Sequence, residues 1–212
     1  MRAGELLADR DHVLVALDGP VAEGLVRGPV AARLRMMVAE DRLPRKVVRT
    51  EDPFAVLAYA ATIGPATEHA VYAQWCRIEH ELVAAARVTP GVREAFAALA
   101  AGGTRITVVG SLDVGAIRAF LVLHGLVEHV GRVAGRSGSD PAVLPPAPDL
   151  VATAVLTGAT PAEACAFVGT LPVDLAAARA AGVDAIRHRR PTPDPDAVVP
   201  TWFDALTTAR RA

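Results

Sequence analysis

The hydrophobic positions of this chain fall into short unbroken runs, separated by longer segments in which apolar residues recur every three or four positions. The run at 13–17, VLVAL, is apolar throughout, which is typical of a strand buried on both faces of a parallel sheet. Short runs at 106–111, 131–135, 164–169 and 184–188 have a similar character. Strands that alternate with helical segments predict an α/β fold, in which helices cover both faces of a parallel sheet.

Residues 21–87 have a different pattern, because three successive stretches show helical spacing and none reads as a strand. Asp52 is a candidate N-cap, and Pro53 suits the first turn of the helix that follows it. We therefore predict two units. An α/β core is formed by 1–20 and 88–212, and an all-helical cap, formed by 21–87, is inserted after the first strand.

The C-terminal part of the chain contains two predicted loops and a predicted helix. Residues 135–148, GRSGSDPAVLPPAP, read as one long loop, in which we expect Arg136 to face solvent. Residues 191–200 are rich in proline and aspartate and read as a second loop. The segment PTWFDAL is predicted to form a last helix that packs through Trp202.

Composition and charge exclude several classes of protein. The 212 residues carry a net charge of -1 and no dense block of Lys or Arg, which argues against nucleic acid binding. Although 52% of the residues are hydrophobic, no apolar stretch reaches the roughly 18 residues of a transmembrane helix. The first residues do not resemble a secretory signal, and Cys76 and Cys165 form no Cys-x-x-Cys pair. We expect a cytoplasmic protein with no membrane association.

The end of the first apolar run is the candidate functional position. Asp18, Gly19 and Pro20 end this run abruptly. Ligands of open α/β sheets bind beyond the carboxyl ends of the strands, so an acid and a glycine at this point indicate a site.

Three stretches carry a resemblance to a known family: TPGVREAFAALAAGGTRITVVGS, PPAPDLVATAVLTGATPAEACAFVG and VDLAAARAAGV. From about His12 to Leu206 the chain resembles the haloacid dehalogenase (HAD) superfamily, and within it the phosphoglycolate phosphatase-like members with a helical cap. The resemblance implies a Rossmann-like core with a parallel sheet. It also implies phosphoryl transfer through an aspartyl-phosphate with Mg²⁺, although fold by itself does not fix function.

The nucleophile and metal positions depart from the pattern that the resemblance implies. The family's first motif is Asp-x-Asp-Gly-Thr/Val, and its first Asp attacks phosphorus and binds magnesium. When Asp18 is aligned on the second acid, Ala16 stands at the nucleophile, and a methyl group can do neither. Thr170 stands where the family has its other magnesium carboxylate, while Asp174 matches a supporting acid.

The positions that hold the phosphate depart in the same way. The family's second motif ends its strand in Ser or Thr, whereas here the aligned residue is Gly110, with Ser111 next in the chain. The family's lysine, which neutralises nucleophile and phosphate, is replaced by Pro145. Arg136 lies near Pro145 in the sequence. The alternative to a solvent-facing position is that its side chain extends into the site.

Since four positions have lost this chemistry, we predict a chain that is inactive as a phosphatase, binds no metal and needs no cofactor. It would act as a binding, regulatory or partner-interaction protein. A small anion would be held by Asp18, Gly19, Ser111 and Arg136.

A protein partner or a second copy of the chain would contact the cap through aromatic residues and methionines. For most of these residues, however, we prefer the interpretation that they fill the core of the cap. These residues are Met36, Met37, Tyr59, Tyr72 and Trp75.

The alternative is a divergent hydrolase that acts on a small phosphorylated metabolite with Mg²⁺. Its rebuilt site would use Asp18, Asp113, Asp174 and histidines of the cap. His69 and His80 lie on one predicted helix but are about 16 Å apart along it, too far to share one metal ion. The sequence leaves open whether the chain is an enzyme.

Overall fold

The computed structural model describes residues 7, 9–25, 28–39, 43–189 and 202–208. A six-stranded sheet has the order β5-β4-β1-β6-β7-β8, and all of its pairs are parallel except β7 with β8. The described strands are β1 (His12–Ala16), β2 (Ala22–Glu23), β3 (Arg87–Val88), β4 (Arg105–Asp113), β5 (Arg132–Arg136), β6 (Cys165–Gly169), β7 (Asp184–His188) and β8 (Leu206–Thr208). The described helices are α1 (Val30–Val38), α2 (Arg45–Arg49), α3 (Pro53–Ile63), α4 (Pro65–Ala85), α5 (Val92–Ala101), α6 (Val114–Leu123), α7 (Asp149–Gly158) and α8 (Pro172–Ala180).

Strand β1 lies in the middle of the sheet, and its side chains alternate between two apolar clusters. Val13 and Val15 belong to the cluster that includes residues of α5 and α6. Leu14 and Ala16 belong to the cluster on the opposite face, which includes residues of α7 and α8. Each large side chain buried in this way contributes about 1.5–3 kcal/mol. This two-sided burial explains the unbroken apolar run, and it confirms the predicted α/β class with helices on both faces.

Helices α1 to α4 form the cap and have an apolar core of their own. Helix α3 begins as predicted, because Oδ1 of Asp52 accepts a hydrogen bond from the Phe54 N–H at 2.9 Å. The long helix α4 contributes Trp75, whose ring meets Phe54 edge-on with 4.7 Å between centroids. None of the described helices combines the length and the apolar composition needed to cross a membrane.

A two-stranded antiparallel ribbon lies where the chain passes between core and cap. In this ribbon Ala22 of β2 is opposite Val88 of β3, and Glu23 is opposite Arg87. The sequence pattern did not predict it, because two-residue strands are too short to show a period of two. The ribbon therefore holds the segment that enters the cap beside the segment that returns to the core.

The predicted C-terminal helix is wrong. Residues 202–205 form turns, and β8 then pairs antiparallel with the edge of β7. Trp202 is buried as expected, but its indole Nε1 donates a hydrogen bond to the Pro20 carbonyl at 2.8 Å. The open edge of β7 supplies partners for extended backbone, which outweighs the local pattern of a short segment. The predicted loop 191–200 lies outside the described residues.

Candidate functional site

The candidate site lies where strands β1, β4 and β6 end at the same edge of the sheet. The chain leaves β1 through Leu17, whose N–H donates to the Val109 carbonyl at 2.8 Å. A turn follows, closed by hydrogen bonds from the Gly19 N–H to the Ala22 carbonyl at 2.9 Å and from the Ala22 N–H to the Leu17 carbonyl at 2.8 Å. Gly19 has φ of +99°, a conformation that glycine adopts readily. The turn thereby places Asp18 at the strand end.

Two side chains from distant parts of the sequence hold this turn in place. The Thr89 hydroxyl donates to the Gly19 carbonyl at 2.7 Å. The indole of Trp202 donates to the carbonyl of Pro20, the next residue. The turn is therefore held by the protein's own donors, with no need for a ligand.

The residues that the resemblance aligns with the nucleophile and with the phosphate-binding hydroxyl are small and closely packed. Ala16 is 3% exposed and belongs to the apolar cluster under α7 and α8. A Cβ at Gly110 would lie 3.2 Å from both Leu17 Cβ and Ile117 Cδ1, so the backbone is closely packed there. Ser111 is brought to the cavity at the strand ends, as the shifted alignment requires.

Thr170, which the resemblance aligns with a magnesium carboxylate, contacts both the neighbouring strand and the turn. Its hydroxyl donates to the His188 carbonyl at 3.2 Å and so links the end of β6 to β7. It also packs directly under the turn, because a Cβ at Gly19 would lie only 2.3 Å from Thr170 Oγ1. The threonine therefore supports the turn that carries Asp18.

The strand-tip cavity, as we call the space between these strand ends, measures about 30 Å³. Asp18 and Asp174 both line it, and none of the described residues in its lining is basic. Pro145, Thr170 and Arg136 are not among its walls. Its described lining consists of Ala16, Leu17, Asp18, Leu25, Val109, Gly110, Ser111, Leu112, Leu171 and Asp174.

The solvent-facing loop position expected for Arg136 is wrong. Arg136 is the last residue of β5 and is 0% exposed. Its Nη2 donates to Oε2 of Glu79 on α4 at 2.7 Å, and its Cζ lies 3.9 Å from the centroid of the Trp75 ring. A guanidinium buried at a strand end requires a counter-ion, and the cap supplies one. This cation is therefore committed to the cap and does not line the strand-tip cavity.

Glu79 is the residue of this region that sequence reasoning missed. It is 3% exposed, an unusual environment for a carboxylate. The available signal was its position on α4, because it follows the apolar residues Val71, Trp75 and Ile78 along one side of the helix. A carboxylate on the apolar side of a helix indicates a buried partner.

Asp113 and His80 of the alternative site both lie beside Gly115, since a Cβ there would be 2.8 Å from Asp113 Oδ2 and 3.6 Å from His80 Nε2, but neither lines the strand-tip cavity. The Asp113 carboxylate caps α6 by accepting the N–H groups of Gly115 at 2.8 Å and Ala116 at 3.3 Å. His80 contacts the Cys76 carbonyl through Nδ1 at 2.8 Å, and His69 is exposed. Among the described residues, no three His, Cys, Asp or Glu side chains form a group that could hold a metal ion.

The predicted contact residues of the cap divide between core and surface. Trp75 is buried, and Tyr59 and Tyr72 are half-buried against the cap core. Met36 is 80% exposed and Met37 is partly exposed. The methionines are thus the members of this set that a partner would meet first.

Burial shifts the pKa of several groups around the site. It raises the pKa of Tyr72 to about 12, because a phenolate is poorly solvated between cap and core. Burial also raises the pKa of the Cys76 thiol on the same helix. On the other side of the turn, burial lowers the pKa of His188 to about 4, so this ring is neutral near pH 7.

No protein-family model and no curated protein sequence matches this chain. Solved structures do match. CbbY from Rhodobacter sphaeroides, in complex with phosphate, has a TM-score of 0.63 and 19% identity, with 84% of this chain and 86% of that chain covered. A predicted phosphoglycolate phosphatase of Haemophilus somnus has a TM-score of 0.58 and 18% identity, with 84% of each chain covered.

A third match is a HAD-superfamily hydrolase, subfamily IA, of Geobacter sulfurreducens. It has a TM-score of 0.54 and 22% identity, with 84% of this chain and 86% of that chain covered. The matches extend over most of each chain, cap and core together. They show that this chain has the HAD superfamily hydrolase fold, as the resemblance implied.

Proposed function

We propose that this chain, which has the HAD superfamily hydrolase fold, is inactive as a phosphatase and acts as a binding or regulatory protein. The observation that carries the proposal is the strand-tip cavity. Its described lining holds two carboxylates and no basic residue. A phosphoryl group needs positive charge to balance its own.

The first reason is the missing nucleophile. Ala16 presents a methyl group at the position where the fold's phosphatases carry their attacking carboxylate, and this methyl is packed in an apolar cluster. Loss of a catalytic nucleophile typically lowers the rate by about 10⁶. Asp18 remains, but on the resemblance it aligns with the acid–base position and not with the nucleophile.

The second reason is electrostatic. A phosphate dianion at the strand tips would meet Asp18 and Asp174, and like charges at close range repel. The nearest sequence candidate for a compensating cation, Arg136, is committed to Glu79. The two positions at which the family holds magnesium through carboxylates carry Ala16 and Thr170 here, and neither side chain supplies a carboxylate. These residues therefore do not fit the magnesium that the family chemistry requires.

One observation favours the competing function, a divergent hydrolase. Asp18 and Asp174 line the same cavity, so two carboxylates with adjacent Ser111 persist at the strand tips. A pair of carboxylates is a usual acid–base arrangement in hydrolysis. Under this second candidate function the cavity would have to widen before a small phosphorylated metabolite could enter.

An activity assay with a matched variant separates the two functions. The purified chain is incubated with Mg²⁺ and p-nitrophenyl phosphate, and then with a panel of phosphorylated metabolites. We expect the chain and its Asp18→Asn variant to give the same background rate, and titration calorimetry to detect no Mg²⁺ binding. Magnesium-dependent turnover that disappears in Asp18→Asn would overturn the proposal in favour of the divergent hydrolase.

For the binding role, we propose a protein partner or a second copy of the chain, contacting the cap near Met36 and Met37. Size-exclusion chromatography with light scattering tests self-association directly. A mass that rises with concentration in the wild type, and less so in a Met36→Gln variant, supports the second copy. A strict monomer at high concentration would contradict it. A cytoplasmic location stays a prediction.

A further inference from the structure

A buried ion pair joins the cap to the core. Arg136 ends strand β5 of the core, and Glu79 lies on helix α4 of the cap. The atoms Nη2 and Oε2 are 2.7 Å apart, and the two side chains are almost completely shielded from solvent. In contrast, the pairs Arg10–Asp184, Arg33–Glu81 and His129–Glu128 each have at least one exposed partner. This pair therefore differs in kind from the surface pairs.

Two aromatic rings of α4 cover the same guanidinium. Cζ of Arg136 lies 3.9 Å from the ring centroid of Trp75 and 5.0 Å from that of Tyr72. Cation–π contacts within about 6 Å are attractive, and more so when they are desolvated. Nε and Nη1 of this guanidinium have no hydrogen-bond acceptor among the described residues. The contacts that stabilise its charge are therefore the hydrogen bond from Nη2 to Glu79 and the two ring contacts. All three partner residues belong to α4.

Glu79 also binds the end of strand β4. Its Oε2 accepts the Asp113 N–H at 2.8 Å, and Asp113 is the strand partner of Arg136. One carboxylate of the cap thus holds the ends of two neighbouring core strands. These ends lie next to Ser111, which lines the strand-tip cavity.

The energetics of this arrangement depend on both charges being present. If the cap moved away, water would hydrate Glu79 and Arg136, so the pair adds little to the closed state compared with an apolar contact of similar size. Removal of one partner is different, because the other charge would remain buried without compensation in the closed state. The lone charge would then favour any state in which it reaches water.

We propose that Glu79 and Arg136 form a charge-balanced latch: the cap stays closed over the ends of β4 and β5 only while both charges are present or both are absent. Loss of one charge alone releases the cap from these strand ends. The latch goes beyond the proposed function, since it concerns access to the strand tips and not the chemistry performed there.

The latch is tested with three variants of the full chain: Glu79→Leu, Arg136→Met and the double variant that carries both. Cys76 reports on opening, because it lies on α4 and is half-buried, whereas Cys165 is buried in the core. The reaction of both thiols with N-ethylmaleimide is followed by mass spectrometry over a series of pH values, and the rates are compared per thiolate, because, besides burial, Arg136 lowers and Glu79 raises the pKa of the Cys76 thiol. Hydrogen exchange of β1 and β6 reports whether the core stays folded.

We expect each single variant to label at Cys76 about 100-fold faster than the wild type, with Cys165 unchanged. The double variant should label within about threefold of the wild-type rate, because two apolar side chains restore a compatible contact. The matched control is Glu81→Gln, which breaks the exposed Arg33–Glu81 pair of the cap and should leave the rate unchanged.

Four results would overturn the latch. The first is an unchanged Cys76 rate in either single variant, and the second is a double variant that labels as fast as the single variants. The third is loss of protection in β1 and β6 together with faster Cys165 labelling, which would mean that the pair only supports global folding. An equal rise in Glu81→Gln would count against it in the same way.

Discussion

Gly19 is a position where backbone conformation and packing both oppose a side chain. Its φ is +99°, and a Cβ built there would lie 2.3 Å from Thr170 Oγ1 and 2.7 Å from Thr170 Cβ. The threonine is not free to withdraw, because its hydroxyl donates to the His188 carbonyl. We predict that Gly19→Ala strongly destabilises the fold.

The magnitude follows from two separate effects. An L-residue in the left-handed region loses about 1–2 kcal/mol. Overpacking against a neighbour that cannot relax adds about 1–3 kcal/mol. Gly24 provides the matched control, because its φ of +76° is also positive, whereas its Cβ would meet no heavy atom within 4 Å. Gly24→Ala should therefore show the first effect alone, and Gly19→Ala the sum, about 2–5 kcal/mol.

Urea unfolding followed by circular dichroism measures both variants. We expect a lower midpoint at constant slope for both, with the larger drop in Gly19→Ala. Equal drops in the two variants would refute the reasoning. They would mean that Thr170 yields without loss and that this threonine does not hold the turn that carries Asp18.

Two further predictions concern stability. Because burial lowers the folded-state pKa of His188 to about 4 while an unfolded histidine titrates near 6.5, the unfolded state binds more protons between these values. Stability should therefore fall as pH drops from about 6.5 towards 4, and His188→Phe should flatten that slope; an unchanged slope in urea titrations would contradict the assignment. Asp52→Ala removes the N-cap of α3 and should lower the free energy of unfolding by about 1 kcal/mol. Its neighbour Glu51→Ala, an exposed position, serves as control, and an equal loss there would contradict the capping role.

The parts of the fold that sequence could predict are those set by local periodicity. The apolar run of β1 is unbroken because the strand is buried on both faces, so the sequence alone predicts its burial. Asp52 and Pro53 mark the start of α3 by a capping pattern confined to neighbouring residues. The resemblance to the HAD superfamily was equally accessible from the sequence, and it places Ala16 and Thr170 where that family has carboxylates.

The errors lie where partners come from distant parts of the chain. PTWFDAL reads as helical, yet Leu206–Thr208 became a strand because β7 offered an open edge. Arg136 reads as a loop residue, because its counter-ion is 57 positions away on the cap. No local pattern connects such pairs. The apolar side of α4 indicates that Glu79 is buried, but nothing in the sequence identifies Arg136 as its partner.

By itself, the sequence determined the alternation of buried strands and helices, and the chemical identity of the strand tips, since both depend on which side chains stand at which positions. The tertiary structure decided how those tips are enclosed. The carbonyls of the turn are satisfied by Thr89 and Trp202, Thr170 fills the space under Gly19, and Glu79 draws Arg136 away from the cavity. Each of these contacts joins residues far apart in the chain, and their proximity exists only once the sheet and the cap have assembled.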